Sequence, residues 1–224
     1  MSNSWRTLHS LLTVSEPALI SPADDGIVVG MGTTERAGTR RVESVSKRMG
    51  VDEYFRMPET LQPMELEFGF VREPPAPAFG HQSVVTGLTA LLKTHVDRRR
   101  LGVVCVSPID VVLDRTGALV VQPDIIFVAA GRREIIRDRV WGAPDLVVEV
   151  LSPRTRRRDR TKKLRWYRQY GVRECWFVDP IAESVEVVEY QAKPIRRTTF
   201  AGTERIVSAV LPDWHVAAGD AFDR

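Results

Sequence analysis

Asp145-Leu146-Val147-Val148-Glu149-Val150-Leu151 places an acid in the middle of an apolar, β-branched run. Such runs read as strands buried on both faces, and residues 120–128 read the same way around Gln122-Pro123-Asp124. A carboxylate inside a strand of this kind is costly unless it is paired, hydrogen-bonded or bound to a cation. Asp124 and Glu149, on strands that follow one another closely, therefore lead to the expectation of a shared metal ion. The main-chain carbonyl of Val150 is a candidate third ligand, because hard cations also take backbone oxygens. The competing reading of Glu149 is an ion pair with one of the chain's many arginines, and that of Asp124 is a strand-end residue capping a loop. Pro123 has no N–H, which confines it to an edge or a break in the ladder, where a side chain is re-aimed.

Directly after the Glu149 run comes Ser152-Pro153-Arg154-Thr155-Arg156-Arg157-Arg158-Asp159-Arg160-Thr161-Lys162-Lys163. A helix is predicted over residues 154–170, with Ser152 and Thr155 as caps and Gly171 at its C-terminal end. Arg154, Arg156, Arg157 and Arg158 precede or open it, where backbone N–H groups also favour anions, and they are the candidate phosphate contacts. A cation site beside so basic a segment points to phosphodiester chemistry on nucleic acid.

Upstream, Val84, Val85, Leu88, Leu91 and Leu92 mark one apolar stripe of a helix over residues 81–96. Residues 64–71 alternate at period two, with Glu65 and Glu67 on one face. A short helix over 51–57 and strands over 103–107, 110–113, 175–178 and 185–190 complete the pattern. The order helix, three strands, helix, strand predicts an α/β fold with a mixed central sheet flanked by helices. Residues 1–48 are turn-rich and basic and read as a partly ordered N-terminal arm; residues 49–224 form the predicted domain.

The chain has 224 residues, 43% hydrophobic and 27% charged, which suits one globular domain of ordinary size. A net charge of +3 is too small to argue for a polyanionic partner; only the clustering of the arginines does. Cys105 and Cys175 lie in strand-like runs without a Cys-x-x-Cys, as expected of inert thiols in a reducing compartment. No apolar run approaches a membrane span, and Arg6, His9 and Glu16 interrupt the first residues where a secretory segment would lie. The expectation is a soluble cytoplasmic protein with no membrane partner. No Ser-His-Asp arrangement, phosphate-cradling glycine loop or zinc-ligand spacing occurs in the sequence.

Glu65 in its short hairpin, Gln122-Pro123-Asp124, Val148-Glu149-Val150-Leu151-Ser152-Pro153, then Asp159, Lys163 and Tyr167, and finally Trp176-Phe177-Val178-Asp179-Pro180, resemble the Uma2-type endonucleases of the PD-(D/E)XK nuclease superfamily. The resemblance runs from residue 51 to 222 and is densest over 107–180. It implies a restriction-endonuclease-like core and cleavage of DNA that depends on Mg²⁺ or Mn²⁺. Asp124 and Glu149 match the family's metal carboxylates, and Glu65 matches an upstream acid that holds a second ion or orients water. The superfamily's usual lysine, two residues after the second acid, is Leu151 here, so the ammonium has to come from the following helix, where Lys163 matches the family's position. Its neighbour Lys162 is the rival, and adjacent helical residues point about 100° apart, so only one faces the sheet. Lys163, four residues after Asp159 and four before Tyr167, is the better choice.

His81 and Gln122 also match the family pattern and are candidate residues at the edge of the site. Family members often carry Asp-Gly-Glu at the hairpin tip, where this chain has Phe68-Gly69-Phe70. The leading expectation is a metal-dependent DNA endonuclease acting as a homodimer. The alternative, motivated by the two phenylalanines, is a catalytically inactive nuclease-fold protein that binds nucleic acid or a protein partner.

Overall fold

A computed structural model describes residues 48–58 and 62–222. The expected N-terminal arm over residues 1–48 lies outside them, apart from Arg48. Among the described residues, eleven strands form two sheets. One has the order β2-β1-β5-β4-β7, built from β1 (Glu65–Glu67), β2 (Phe70–Arg72), β4 (Val111–Asp114), β5 (Leu119–Val121) and β7 (Val140–Trp141). The other has the order β11-β10-β9-β8-β6-β3, built from β3 (Gly102–Val106), β6 (Ile125–Ala129), β8 (Leu146–Val150), β9 (Glu174–Asp179), β10 (Ser184–Glu189) and β11 (Arg196–Ala201). The helices are α1 (Val51–Tyr54), α2 (Phe79–Arg99), α3 (Arg156–Arg158) and α4 (Leu164–Tyr170), with a π-helical turn over Asp159–Lys163 joining the last two. None of the described helices is long and apolar enough to cross a membrane.

Strand parity sorts the side chains into layers. Leu146, Val148 and Val150 of β8, with Ile125 and Phe127 of β6 and Trp176 and Val178 of β9, pack against Val84, Val85, Leu88, Leu92 and Val96 of α2. The alternate residues, Val147, Ile126, Cys175 and Phe177, face the other way onto Trp166 and Tyr167 of α4 and onto Val111, Leu119 and Val121 of the five-stranded sheet. That sheet's far side, including Leu66 and Val120, is closed by Val51 and Tyr54 of α1. Both faces of β8 are covered, which is why it reads as a nearly unbroken apolar run. Glu149 has the parity of Val147, so its carboxylate points toward α4 and away from α2.

Several boundaries differ from the sequence reading. Residues 120–128 are two strands in two different sheets: the chain leaves β5, passes Gln122-Pro123-Asp124, and enters β6. Pro123 cannot donate to a ladder, so the run breaks there and the expected central sheet becomes two. The expected hairpin around Glu65 is present, however, with Phe68 and Gly69 both at positive φ (50° and 90°) in its two-residue turn. The predicted 154–170 helix starts at Arg156 and carries the π turn in its middle, and it ends at Gly171 with φ 92° as expected. The short helix stops at Tyr54, before Pro58. Helix α2 runs further at both ends, and strand β11 was not expected at all, because its exposed Arg196-Arg197-Thr198-Thr199 lacks an apolar alternation.

Candidate active site

The pairing of β6 with β8 fixes where the two acids meet. Ile125 is opposite Val148 in an antiparallel register, so the next position places Asp124 opposite Glu149. Asp124 Oδ2 accepts the N–H of Val150 at 2.7 Å, and its main-chain oxygen accepts the N–H of Ser107 at 2.9 Å. His81, in the first turn of α2, brings Nε2 to 3.3 Å from the same Oδ2. The Val150 main chain lies close enough to raise the ring's proton affinity, so His81 stands against both Asp124 and the nominated third ligand. Among the described residues, no partner falls on Asp124 Oδ1.

Glu65 arrives from the other sheet. Leu66 of β1 pairs with Val120 of β5, and Glu65 Oε1 accepts the N–H of Gln122 at 3.1 Å. The break at Gln122-Pro123-Asp124 is therefore the joint that brings an acid of one sheet to two acids of the other. The Gln122 side chain turns away, donating to Asp110 Oδ1 at 2.9 Å and accepting from the N–H of Met64 at 3.2 Å. Gln122 thus serves the site through its backbone.

Lys163 ties Glu149, Glu65 and Asp159 together and, among the described residues, makes no contact with Asp124. Its Nζ lies 2.9 and 3.1 Å from the two oxygens of Glu149, 3.0 Å from Glu65 Oε1 and 3.9 Å from Asp159 Oδ1. Its side chain is 5% exposed, against 52% for Lys162, whose Nζ lies 3.4 Å from Glu67 Oε2. Tyr167, one turn on, donates its phenol to Glu149 Oε1. The π turn widens the helix at Asp159 and Lys163, the two residues of that turn that are buried, and such turns recur at functional sites.

Burial and charge set the proton affinities here. Burial works against the Lys163 ammonium, but Glu149, Glu65 and Asp159 outweigh it and hold the proton well above the ordinary lysine range. Burial pushes Glu149 up to about 8; Lys163 opposes the shift, and the charges of Asp159 and Asp124 add to it. Burial also raises Asp159, though Lys163 opposes it. Glu65 goes the other way: burial would raise it, yet Lys163, Arg158 and the Gln122 N–H bring it below the usual carboxylate range. Burial lowers His81, but the hydrogen bond and charge of Asp124 prevail, and the imidazole holds its proton above 6.5.

The four arginines nominated as phosphate contacts divide. Arg154 and Arg157 are exposed. Arg156 is paired with Asp179. Arg158 is turned inward onto Glu65 and Glu67, with its guanidinium also over the Trp166 ring at 5.7 Å. The inward role of Arg158 was missed in the sequence, although its spacing to Lys162 and Trp166 marks one helical stripe beside that of Lys163 and Tyr167. Asp159 and Tyr167 were placed on the Lys163 stripe by helical spacing as well as by the family match, and both sit against the Lys163–Glu149 pair.

The donor set suits a hard divalent cation. Asp124 Oδ1 is without a protein partner among the described residues, and Glu149 beside it is a buried carboxylate with raised affinity for a positive charge. No cluster of three or more His, Cys, Asp or Glu side chains suited to a metal occurs among the described residues, so an ion here would depend on main-chain or water oxygens as well.

A mixed α/β architecture, with acids facing across an antiparallel pair and a lysine supplied by the next helix, defines a restriction-endonuclease-like protein. The family model "Uma2: Putative restriction endonuclease" matches residues 51–219, and the chain belongs to that family. A solved structure of a putative nuclease belonging to DUF820, from Anabaena variabilis, shares the fold with a TM-score of 0.66 at 20% sequence identity; the match covers 78% of this chain and 97% of that one. No curated protein matches the sequence.

Proposed function

We propose that this protein is an endonuclease that hydrolyses phosphodiester bonds of DNA and requires Mg²⁺, with Mn²⁺ as a substitute. The observation that carries the reading is the placement of Asp124 opposite Glu149, with the Lys163 ammonium fixed on Glu149. Asp124, Glu149 and the Val150 carbonyl would hold the ion, and the unit that bears them spans residues 49–224. When bound, such an ion polarises a phosphate and lowers the pKa of a water molecule.

Lys163 keeps its proton, so it acts as a fixed positive charge toward the phosphate and not as the base. Glu65 holds that ammonium in place from the second sheet. The buried Tyr167 phenol, pushed well above its ordinary pKa by burial and by Glu149, remains a hydrogen-bond donor and orients the carboxylate. His81 and Gln122 border the site, His81 through Asp124 and Gln122 through Glu65. Exposed Arg154 and Arg157 supply sequence-independent contacts to the phosphate backbone. One site per chain and two strands to cut favour a homodimer.

The test is nicking of supercoiled plasmid with Mg²⁺ or Mn²⁺ by the parent, Asp124→Ala and Glu149→Ala. The parent is expected to cut and both variants to lose at least about 100-fold, the scale of losing a charge-stabilising group. Variants that cut as well as the parent would overturn the site. A second reading rests on the hairpin tip, where Phe68 and Phe70 are 40% and 43% exposed. It predicts salt-sensitive DNA binding that persists in EDTA, with no cleavage under any metal.

A further inference from the structure

Glu65 and Glu67 share one face of β1, and every oxygen of both already meets a protein group. Glu65 Oε1 takes Lys163 Nζ and the Gln122 N–H, and Oε2 takes Arg158. Glu67 Oε1 takes Arg158 Nε at 2.9 Å and Arg72 Nε at 3.4 Å, and Oε2 takes Lys162. Arg158 is central to this set: its side chain is only 10% exposed, and the guanidinium spans both carboxylates. Asp124 differs, since its contacts fall on Oδ2 alone.

In two-ion phosphodiesterases the ions lie about 3.5–4 Å apart and share carboxylate oxygens. A second ion in this chain would need oxygens of Glu65 or Asp159, the further acids set against Lys163, and Arg158 reaches both, with Nη1 3.9 Å from Asp159 Oδ1. Glu65 Oε2 is claimed by that guanidinium, which cannot be deprotonated and whose fork suits carboxylates, and Oε1 by Lys163. The two acids of β1 are thus neutralised from within the chain, while Asp124, opposite Glu149, keeps an oxygen, Oδ1, with no partner among the described residues.

We propose that Arg158 is a built-in cation that takes up the carboxylates a second metal ion would need, so that the chain binds one divalent ion, at Asp124 and Glu149. Glu65 is then a positioning residue for Lys163 and not a metal ligand. This rests on the metal-dependent reading above and goes beyond it in stoichiometry and in the role of Arg158.

The experiment is Mn²⁺ binding to the full chain, followed by calorimetry and by the electron paramagnetic resonance of free Mn²⁺, with plasmid nicking in parallel. The wild type is expected to bind one ion, and Asp124→Asn to abolish it. Arg158→Gln is expected to bind a second ion, which disappears in Arg158→Gln/Glu65→Gln; Arg158→Lys, which keeps the charge, is expected to stay at one. Two ions on the wild type, or one on a folded Arg158→Gln, overturn the inference while a cleaving enzyme leaves the nuclease reading standing. No ion and no cleavage overturn both. If Arg158→Gln does not fold, the wild-type and Arg158→Lys stoichiometries still decide.

Discussion

Replacing Lys163 with methionine keeps most of the side-chain volume and deletes an ammonium 2.9 Å from Glu149 and 3.0 Å from Glu65. Glu65 retains Arg158 and the Gln122 N–H, so it stays compensated. Glu149 is left buried with the Tyr167 phenol alone, and must either carry an uncompensated charge or take up a proton. Removing one partner of a buried ion pair costs about 3–5 kcal/mol, and because only one of the two acids is orphaned, the lower end applies.

The loss depends on pH through Glu149. Its folded pKa, already raised to about 8 with Lys163 present, rises further without it, while the unfolded value stays near 4.5. A carboxyl raised on folding favours the folded state when protonated, so stability is greatest below the unfolded pKa and falls as pH climbs through the folded one. Lys163 itself stays charged throughout this window and adds no slope to the parent. In EDTA, parent and variant lose stability in parallel up to about pH 8 and diverge only above it, so the Lys163→Met deficit is about 3 kcal/mol near pH 10 and distinctly smaller near pH 7. Adding Glu149→Gln removes the orphaned charge and restores most of the loss at the higher pH.

The assay is urea unfolding followed by the fluorescence of the buried Trp166 and Trp176. A deficit below about 1 kcal/mol, the scale of an exposed ion pair, would refute the reasoning. So would equal deficits at the two pH values, or no relief from Glu149→Gln.

Three further outcomes are expected. Asp124→Asn lowers the His81 pKa followed by NMR, because the charge that overcomes the imidazole's burial is gone; an unchanged titration would break the assigned contact. Gly102→Ala would put a Cβ 2.0 Å from the Val128 carbonyl oxygen, where β3 pairs with β6, so the strands must part. Its cost is about 1–3 kcal/mol by denaturant titration. Leu88→Ala, at a fully buried position of α2 against β6 and β8, costs about 2–5 kcal/mol, yet leaves any Mn²⁺ stoichiometry of the folded protein unchanged.

The chain's local patterns carried much of this architecture. An apolar stripe at helical spacing specified α2, and an unbroken β-branched run specified β8, because burial on one face or on two leaves different periodicities. Gly171 marked a helix end because it accepts positive φ without strain. The acids at Asp124 and Glu149 stood out because a carboxylate among valines needs a compensating partner, and Lys163, matched by the family pattern, was separable from Lys162 by its helical phase with Asp159 and Tyr167.

Tertiary structure decided the rest. Only strand register sets Asp124 opposite Glu149, and only the break at Pro123, which hands the chain from one sheet to the other, brings Glu65 to the same lysine. Arg158 looked like its neighbours Arg156 and Arg157 in sequence, yet it is the one turned onto Glu65 and Glu67. An arginine's partner is chosen by which carboxylates lie within reach in a poorly hydrated interior, and that distance exists only once the two sheets have packed.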